Sequence, residues 1–220
     1  MSRIVNILAG GPKNHLPDLS LYRERMEEEF WIGVDRGVQY LFAAGITPDL
    51  ALGDFDSIPQ EIAKILDRAP FPVRKFPAEK DQTDMELALE AALEYKPDEI
   101  RIFGATGGRL DHLLANIQLL SSPRFIEKVR HLRLIDKSNI LEVKKPGTYT
   151  LEKDTKFSFV SFIPLTPVIE NLTLQGFKYP LENATIPFGS TLCISNELIA
   201  DSGTFLFSAG ILLVIRSKDS

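Results

Sequence analysis

The chain is expected to fold as an α/β N-terminal domain, a mostly parallel sheet flanked by helices, over residues 1–145. A small all-β antiparallel sandwich is expected over residues 146–220. Three observations carry this. Short β-rich runs alternate with helix-period patterns through the first part, which implies a parallel sheet covered on both faces. The second part holds strand-like runs punctuated by Gly and Pro, with no comparable helical pattern. Composition also shifts: residues 1–145 hold 43 of the 55 charged residues, whereas 146–220 hold 12 of them and 7 of the 14 phenylalanines. The break falls at Lys144-Lys145-Pro146-Gly147, a sequence suited to a turn.

In the first part, Arg3–Leu8 reads as a strand ending at Ala9-Gly10-Gly11-Pro12, and Phe30–Val34 as a second ending at Asp35-Arg36-Gly37. Leu50–Leu52 is a third and runs into an acidic turn; Val73–Phe76, Ile100–Phe103 and His131–Ile135 complete the series. A helix is predicted from Asp84 to Tyr95, with Leu87, Ala88, Ala91, Ala92 and Tyr95 on one face. Another starts near Leu110, with Leu113, Leu114, Ile117 and Leu120 in register. In the second part the strand candidates are Lys156–Phe162, Val168–Leu174, Thr191–Ile194, Thr204–Phe207 and Ile211–Ile215.

Bulk properties narrow the function. A chain of 220 residues with 44% hydrophobic and 25% charged residues is a globular composition. A net charge of -5 argues against broad binding to nucleic acid. No apolar run approaches the roughly 20 residues that span a bilayer, and no signal-peptide pattern opens the chain, so a cytoplasmic location without membrane partners is expected. The one cysteine, Cys193, excludes an intramolecular disulfide and reads as a small buried thiol in a strand.

Ligands of open α/β sheets bind beyond the carboxyl ends of the strands, and four chemistry-bearing segments sit there. In Gly53-Asp54-Phe55-Asp56-Ser57, Asp54 and Asp56 follow a strand at once, and residues two apart in extended chain face the same side. Two adjacent carboxylates resist ionising together, a conflict that a Mg²⁺ ion removes; the alternative is a solvated turn with Ser57 and Gln60 forming a capping box. In Asp81-Gln82-Thr83-Asp84, Thr83 and Glu86 form a second box, placing Asp84 at the first helical position. The segment reads as an acidic helix start, as part of the site, or as both at once. Gly104-Ala105-Thr106-Gly107-Gly108-Arg109-Leu110-Asp111-His112 runs from strand to helix. Its glycines admit close approach of phosphate to backbone N–H groups, and Arg109 offers a forked donor. Asp111 suits either orienting Arg109 or metal binding, and His112 reads as a satisfied polar residue. Asp35 ends a strand on the same edge. His15 and His131 read as surface or structural residues, and Trp31 as core.

These segments, in this order, resemble the thiamine pyrophosphokinase family. In the second part the resemblance rests on Thr173-Leu174-Gln175-Gly176-Phe177-Lys178-Tyr179, on Gly189-Ser190 and on Ser195-Asn196. It implies transfer of a diphosphoryl group from ATP to the hydroxyethyl oxygen of thiamine, giving thiamine diphosphate and AMP. By resemblance Asp54, Asp56 and Asp84 bind Mg²⁺, and Asp81 and Thr83 belong to the same motif. Asp35, Gly104, Thr106, Gly107, Gly108, Arg109 and Asp111 fall in segments that border the nucleotide. Thr173, Tyr179, Ser195 and Asn196 line the thiamine side, with Tyr179 stacking where animal members often carry Trp. The resemblance also implies a homodimer, each active site formed between the first domain of one subunit and the sandwich of the other. One departure stands out: Asp35-Arg36-Gly37 replaces the Asp-Gly-Gly of many members.

Such a transfer needs positioning and charge neutralisation more than a covalent intermediate. Asp81 and Asp56 are the candidates to accept the alcohol proton. Two other readings of the residues remain. A haloacid-type phosphohydrolase would use Asp54 as nucleophile, although Ser57 stands too early for that motif. A ligand sensor would bind without turnover.

Overall fold

The computed structural model describes residues 3–23, 29–56, 58–77 and 79–219. The chain divides into two compact units, Met1–Lys137 and Ser138–Ser220.

The first unit alternates strand and helix: β1 (Ile4–Leu8), β2 (Glu29–Val34), α1 (Gly37–Ala43), β3 (Leu50–Gly53), α2 (Gln60–Leu66), β4 (Val73–Lys75), α3 (Asp84–Glu94), β5 (Glu99–Phe103), α4 (Leu110–Ser121), α5 (Pro123–Ile126) and β6 (His131–Ile135). Its six strands pair in parallel in the order β4-β3-β2-β1-β5-β6. Every residue of β1 is buried, because a central parallel strand is covered on both faces. Trp31 is core, as expected, and stacks on Phe103 at 6.0 Å.

Helix α3 starts where its cap dictates: the Thr83 hydroxyl accepts the Glu86 N–H at 3.2 Å. Met85, Ala88, Leu89 and Ala92, spaced by three and four, are buried. Of the predicted face, Ala88, Ala91 and Ala92 are buried, while Leu87 and Tyr95 are only half-buried and Met85 and Leu89 take the remaining core positions. In α4 the expected stripe is partly uncovered. Leu120 and Asn116 are buried, but Leu110 and Leu114 are 72% and 60% exposed. Helices α1 and α2 have seven residues each, too few turns for a periodic signal. The Ser57–Gln60 box is not how α2 begins: Pro59 is its N-cap and Gln60 its first residue, and Ser57 lies outside the described residues.

The second unit holds β7 (Asn139–Lys144), β8 (Gly147–Glu152), β9 (Phe159–Pro164), β10 (Val168–Gln175), β11 (Leu181–Pro187), β12 (Ser202–Phe207) and β13 (Leu212–Ser217). Strand β13 pairs antiparallel with β7 and β9. The other sheet runs β11-β10-β12-β8, also antiparallel. Inward residues of both sheets share one core, including Val160, Phe162, Ile169, Leu174, Phe205, Leu212 and Val214. Phe162 meets Phe177 and Phe205 edge-on at 5.4 and 5.1 Å, the geometry that ring quadrupoles favour. The compositional break at Pro146 is the turn between β7 and β8. The compact unit begins earlier, at Ser138, because β7 pairs with β13.

Two strand expectations fail locally. Residues 191–194 form a turn, with the Ile194 N–H on the Thr191 carbonyl and the Leu192 N–H on the Ser190 hydroxyl. Cys193 is nevertheless the buried thiol expected, and burial pushes its pKa up. The run from Lys156 becomes strand only at Phe159, because the Asp154 carboxylate accepts the Lys156 N–H at 2.8 Å and holds a turn.

Gly37 starts α1 in direct contact with the end of β1, and a Cβ there would stand 1.8 Å from the Leu8 carbonyl oxygen. Gly37→Ala is expected to cost about 3 kcal/mol, or roughly 6–12 °C in Tm for a chain of this size. Thermal unfolding followed by circular dichroism checks this; an unchanged Tm contradicts it.

Candidate active site

Strand β1 lies between β2 and β5, so the strand order reverses direction beside it, and ligands of such sheets bind beyond the carboxyl ends of the strands at this point. Backbones meet there closely. The Gly11 N–H donates to the Gly104 carbonyl at 2.8 Å, and a Cβ on Gly11 would stand 2.4 Å from that oxygen. Gly104 (φ 66°) and Gly107 (φ 76°) take left-handed conformations that glycine alone adopts without strain. Thr106 is buried, and its hydroxyl donates to Asp136 Oδ2 at 2.8 Å. The ring of His15 lies against the Gly107 backbone. The glycine-rich loop is therefore held from several sides, while Gly108 and Arg109 remain exposed. Arg109 and Asp111 form a bidentate pair at 3.1 and 2.6 Å. The Arg109 hydrogen bonds hold the Asp111 carboxyl down at about 2. Of the two roles open to Asp111, the one seen is orienting Arg109.

The acidic edge is built around Asp35. Its N–H donates to the Leu52 carbonyl at 3.0 Å, tying the end of β2 to β3. Its carboxylate accepts the Phe55 N–H at 3.4 Å and lies where a side chain on Gly53 would be, 1.8 Å from a Cβ built there. Asp35 and Phe55 both have positive φ, 47° and 56°, a conformation uncommon outside glycine. The extended geometry expected for Asp54–Asp56 is thus corrected: Phe55 turns left-handed and the Asp56 N–H donates back to Asp54 Oδ1 at 3.1 Å. The reason is the Phe55 side chain, which packs onto Val38, Ala51 and Leu66 with Ile58, Ile62 and Val73. Asp54 is half-buried and Asp56 exposed.

The start of α3 completes this edge. Asp84 is half-buried, and its inner oxygen Oδ1 lies 2.8 Å from the Lys80 ammonium without accepting an aligned hydrogen bond. Lys80 also donates to the Pro77 carbonyl at 3.2 Å. Burial, and after it the Asp84 carboxylate, push Asp35 up to about 6; Asp54 adds to the rise, while the Phe55 N–H and Lys80 oppose it. Asp81 and Thr83 are exposed, with Thr83 engaged as the cap. Glu86 does not close the box: its carboxylate pairs with Arg124 at 3.1 Å.

The donor set fits a hard cation. Asp54 and Asp84 supply carboxylate oxygens beside Asp35, whose carboxyl is pushed up first by burial and then by Asp84, and one oxygen of Asp84 is buried against the ammonium of Lys80. Among the described residues no group of three or more His, Cys, Asp or Glu side chains converges as a ready cage. Mg²⁺ is typically held by one or two carboxylates plus substrate phosphates, which this edge can provide.

In the second unit, Tyr179 is 56% exposed. Thr173 is buried, with its hydroxyl accepting the Asn183 N–H at 3.0 Å. Ser195 is exposed at φ 55°, its N–H on the Ser161 hydroxyl at 2.9 Å. Asn196 is buried. Arg36 caps α1 and stacks its Cβ on Gly10. Reading the sequence missed Lys80, Asp136 and the approach of His15 to Gly107. None of the three had a local signal: Lys80 precedes α3, so helical spacing does not tie it to Asp84, and the other two contacts join residues distant in sequence.

Comparisons with known proteins match both parts of the chain. The model of the thiamin pyrophosphokinase catalytic domain matches residues 22–130, and that of the thiamin pyrophosphokinase vitamin B1 binding domain matches residues 148–212. The chain is 52% identical to thiamine pyrophosphokinase of Bacillus subtilis (strain 168) over 217 residues, covering 99% of this chain and 100% of that one. The crystal structure of thiamine pyrophosphokinase from Bacillus subtilis superposes with a TM-score of 0.92 at 52% identity, covering 99% and 100% of the two chains. That of thiamin pyrophosphokinase from Geobacillus thermodenitrificans gives 0.89 at 50% identity, covering 99% and 98%.

Asp35 yields a pH-dependent prediction. Its folded pKa of about 6 lies above the ordinary 3.8, so the folded protein holds this proton more tightly than the unfolded chain. Its contribution to stability is therefore full below 3.8 and is lost as pH rises through about 6. In metal-free buffer, Asp35→Asn is expected to raise Tm at pH 8 by about 2–4 °C, the equivalent of roughly 1 kcal/mol after solvent screening. The advantage should vanish near pH 4. A difference that does not change with pH contradicts this account.

Proposed function

The chain belongs to the thiamine pyrophosphokinase family, and on that premise we propose how its residues carry out the family's reaction. The enzyme transfers a diphosphoryl group from ATP to the hydroxyethyl oxygen of thiamine, giving thiamine diphosphate and AMP. A bond forms between the thiamine oxygen and the β-phosphorus, the bond from that phosphorus to the α–β bridging oxygen breaks, and AMP leaves with the electron pair.

The observation that carries the residue assignment is the carboxylate edge of Asp35, Asp54 and Asp84 at the same sheet edge as the glycine-rich loop. Asp54, Asp56 and Asp84 are the residues that would hold Mg²⁺, with substrate phosphates completing its ligands. The bound ion supplies Lewis-acid stabilisation of charge on the transferring group. Gly107 and Gly108 present backbone to the phosphates, and Arg109, oriented by Asp111, donates to their oxygens. Asp35 and Thr83 set the positions of the Asp54 turn and the start of α3. Their hydrogen bonds support this role. The alcohol proton passes to an aspartate of the same edge, Asp56 or Asp81, both exposed.

Thiamine lies against the exposed ring of Tyr179, in surroundings shaped by Thr173, Ser195 and Asn196. The enzyme works in the cytoplasm as a homodimer with shared active sites. The large apolar side chains left exposed on the second unit, Phe188, Leu192, Ile194 and Ile199, support pairing. Among the described residues no helix is long and apolar enough to cross a membrane.

Incubation with thiamine, ATP and Mg²⁺ should yield AMP and thiamine diphosphate by mass. Asp54→Asn is expected to cut kcat by about 100-fold or more with little change in Tm. Unchanged turnover and unchanged Mg²⁺ dependence would sink the metal assignment. Light scattering after size exclusion should give twice the chain mass of 24.6 kDa; a monomer at working concentration would contradict the shared-site arrangement.

A further inference from the structure

Residues 195–199 carry a junction in the second unit. The Ile199 N–H donates to the Gly176 carbonyl at 3.1 Å, and the Lys178 N–H to the Glu197 carbonyl at 2.8 Å. These bonds run as a short ladder toward Tyr179. One step further on, the backbone of the 195–199 segment turns away. Ser195 takes φ 55°, and both backbone groups of Asn196 pair instead with Val160 of β9, at 2.9 and 2.7 Å. Tyr179 would then face no peptide group. The side chain of Asn196 fills that place: Oδ1 accepts the Tyr179 N–H at 3.0 Å, and Nδ2 donates to the Tyr179 carbonyl at 2.8 Å. Oδ1 also accepts the Glu197 N–H at 2.9 Å. The side-chain amide therefore stands in for a strand peptide, with one acceptor and one donor on the two main-chain groups of a single residue.

We propose that Asn196 is a positioning residue that fixes the backbone of Tyr179, so that the exposed ring meets thiamine already oriented. The proposal rests on the reading of Tyr179 as the thiamine contact. Three features favour positioning over direct contact with the substrate. Asn196 is 2% exposed. Its Oδ1 and Nδ2 are engaged with main-chain partners. The residue it holds is the one with the free surface, 56% exposed, while the turn around it is braced by the Lys178–Glu197 ion pair at 2.6 Å, with the Lys178 ammonium 5.6 Å from the Tyr179 ring centre. The chemistry is specific to an amide. Asp offers no donor and sets an oxygen against the Tyr179 carbonyl; Ser and Ala cannot bridge both groups. Fixing the ring beforehand removes an ordering cost from binding, so the loss should appear in thiamine affinity.

The test is a double-mutant comparison. Asn196→Ala is expected to raise the thiamine KM about tenfold and leave the ATP KM within about twofold. In a Tyr179→Ala background the same change should add less than about twofold, because there is no ring left to orient. Hydrogen exchange supplies a second readout: the Tyr179 amide should be protected in the native enzyme and freed in the variant. If the alanine variant does not fold, Asn196→Ser carries the same comparison. An unchanged thiamine KM in the single variant overturns the proposal. So does an equal rise in both backgrounds, which would place Asn196 on the substrate itself. If Tyr179→Ala leaves the thiamine KM unchanged while Asn196→Ala frees the Tyr179 amide, the thiamine reading of Tyr179 fails, and the clamp is structural only.

Discussion

Asp35 leaves β2 in a left-handed conformation and lays its carboxylate over the backbone of Gly53, within reach of the Phe55 N–H. That one contact joins the ends of two parallel strands and sets the direction in which the acidic turn leaves β3. It also half-buries a carboxylate next to two others, which costs stability unless a cation is near. Lys80 supplies part of that cation from within the chain, through Asp84. Burial first, and then the neighbouring carboxylates, push Asp35 up, so a further positive charge at this edge would favour its ionised form.

Glycine makes the arrangement possible at two separate points. On the acidic side, Gly53 yields the space that Asp35 occupies. On the phosphate side, Gly11 and Gly104 let the ends of β1 and β5 touch, while Asp136 and His15 brace Thr106 and Gly107. Both halves stand at the carboxyl ends of one parallel sheet, on either side of the strand where the order reverses. Close backbone approach and a rigid loop prepare donors and acceptors before substrate arrives, which is where electrostatic catalysis draws most of its effect.

The second unit uses a different device for the same end. Its core is an ordinary two-sheet packing of Phe, Leu, Ile and Val, and most of its polar side chains of interest hold backbone. Thr173 anchors Asn183, Ser161 anchors Ser195, and Asn196 anchors Tyr179. Polar groups that match a ligand motif in sequence are here also the groups that shape the loops around an exposed ring.

Much of this was legible in the residue order. Alternating β-rich and helix-period runs marked the first unit and Gly- and Pro-punctuated strand runs the second, and strand ends together with the Thr83 cap placed Asp35, Asp54, Asp84 and Gly104–Asp111 on one edge, because local periodicity and cap chemistry depend on neighbours close in sequence. The short helices α1, α2 and α5 and the strands β7, β8 and β11 escaped, since one or two turns or a weakly alternating strand carry little pattern. The left-handed Phe55, pinned by Val38 and Leu66, could not be read from Asp-Phe-Asp. Nor could the Thr106–Asp136 bond, thirty residues apart in the chain, or the Asn196 clamp, seventeen apart. Residue types and their order determined which chemistry the chain can perform. Only the tertiary structure decided which polar atoms are left for substrate, because a side chain's hydrogen bonds go to whatever backbone the fold brings beside it.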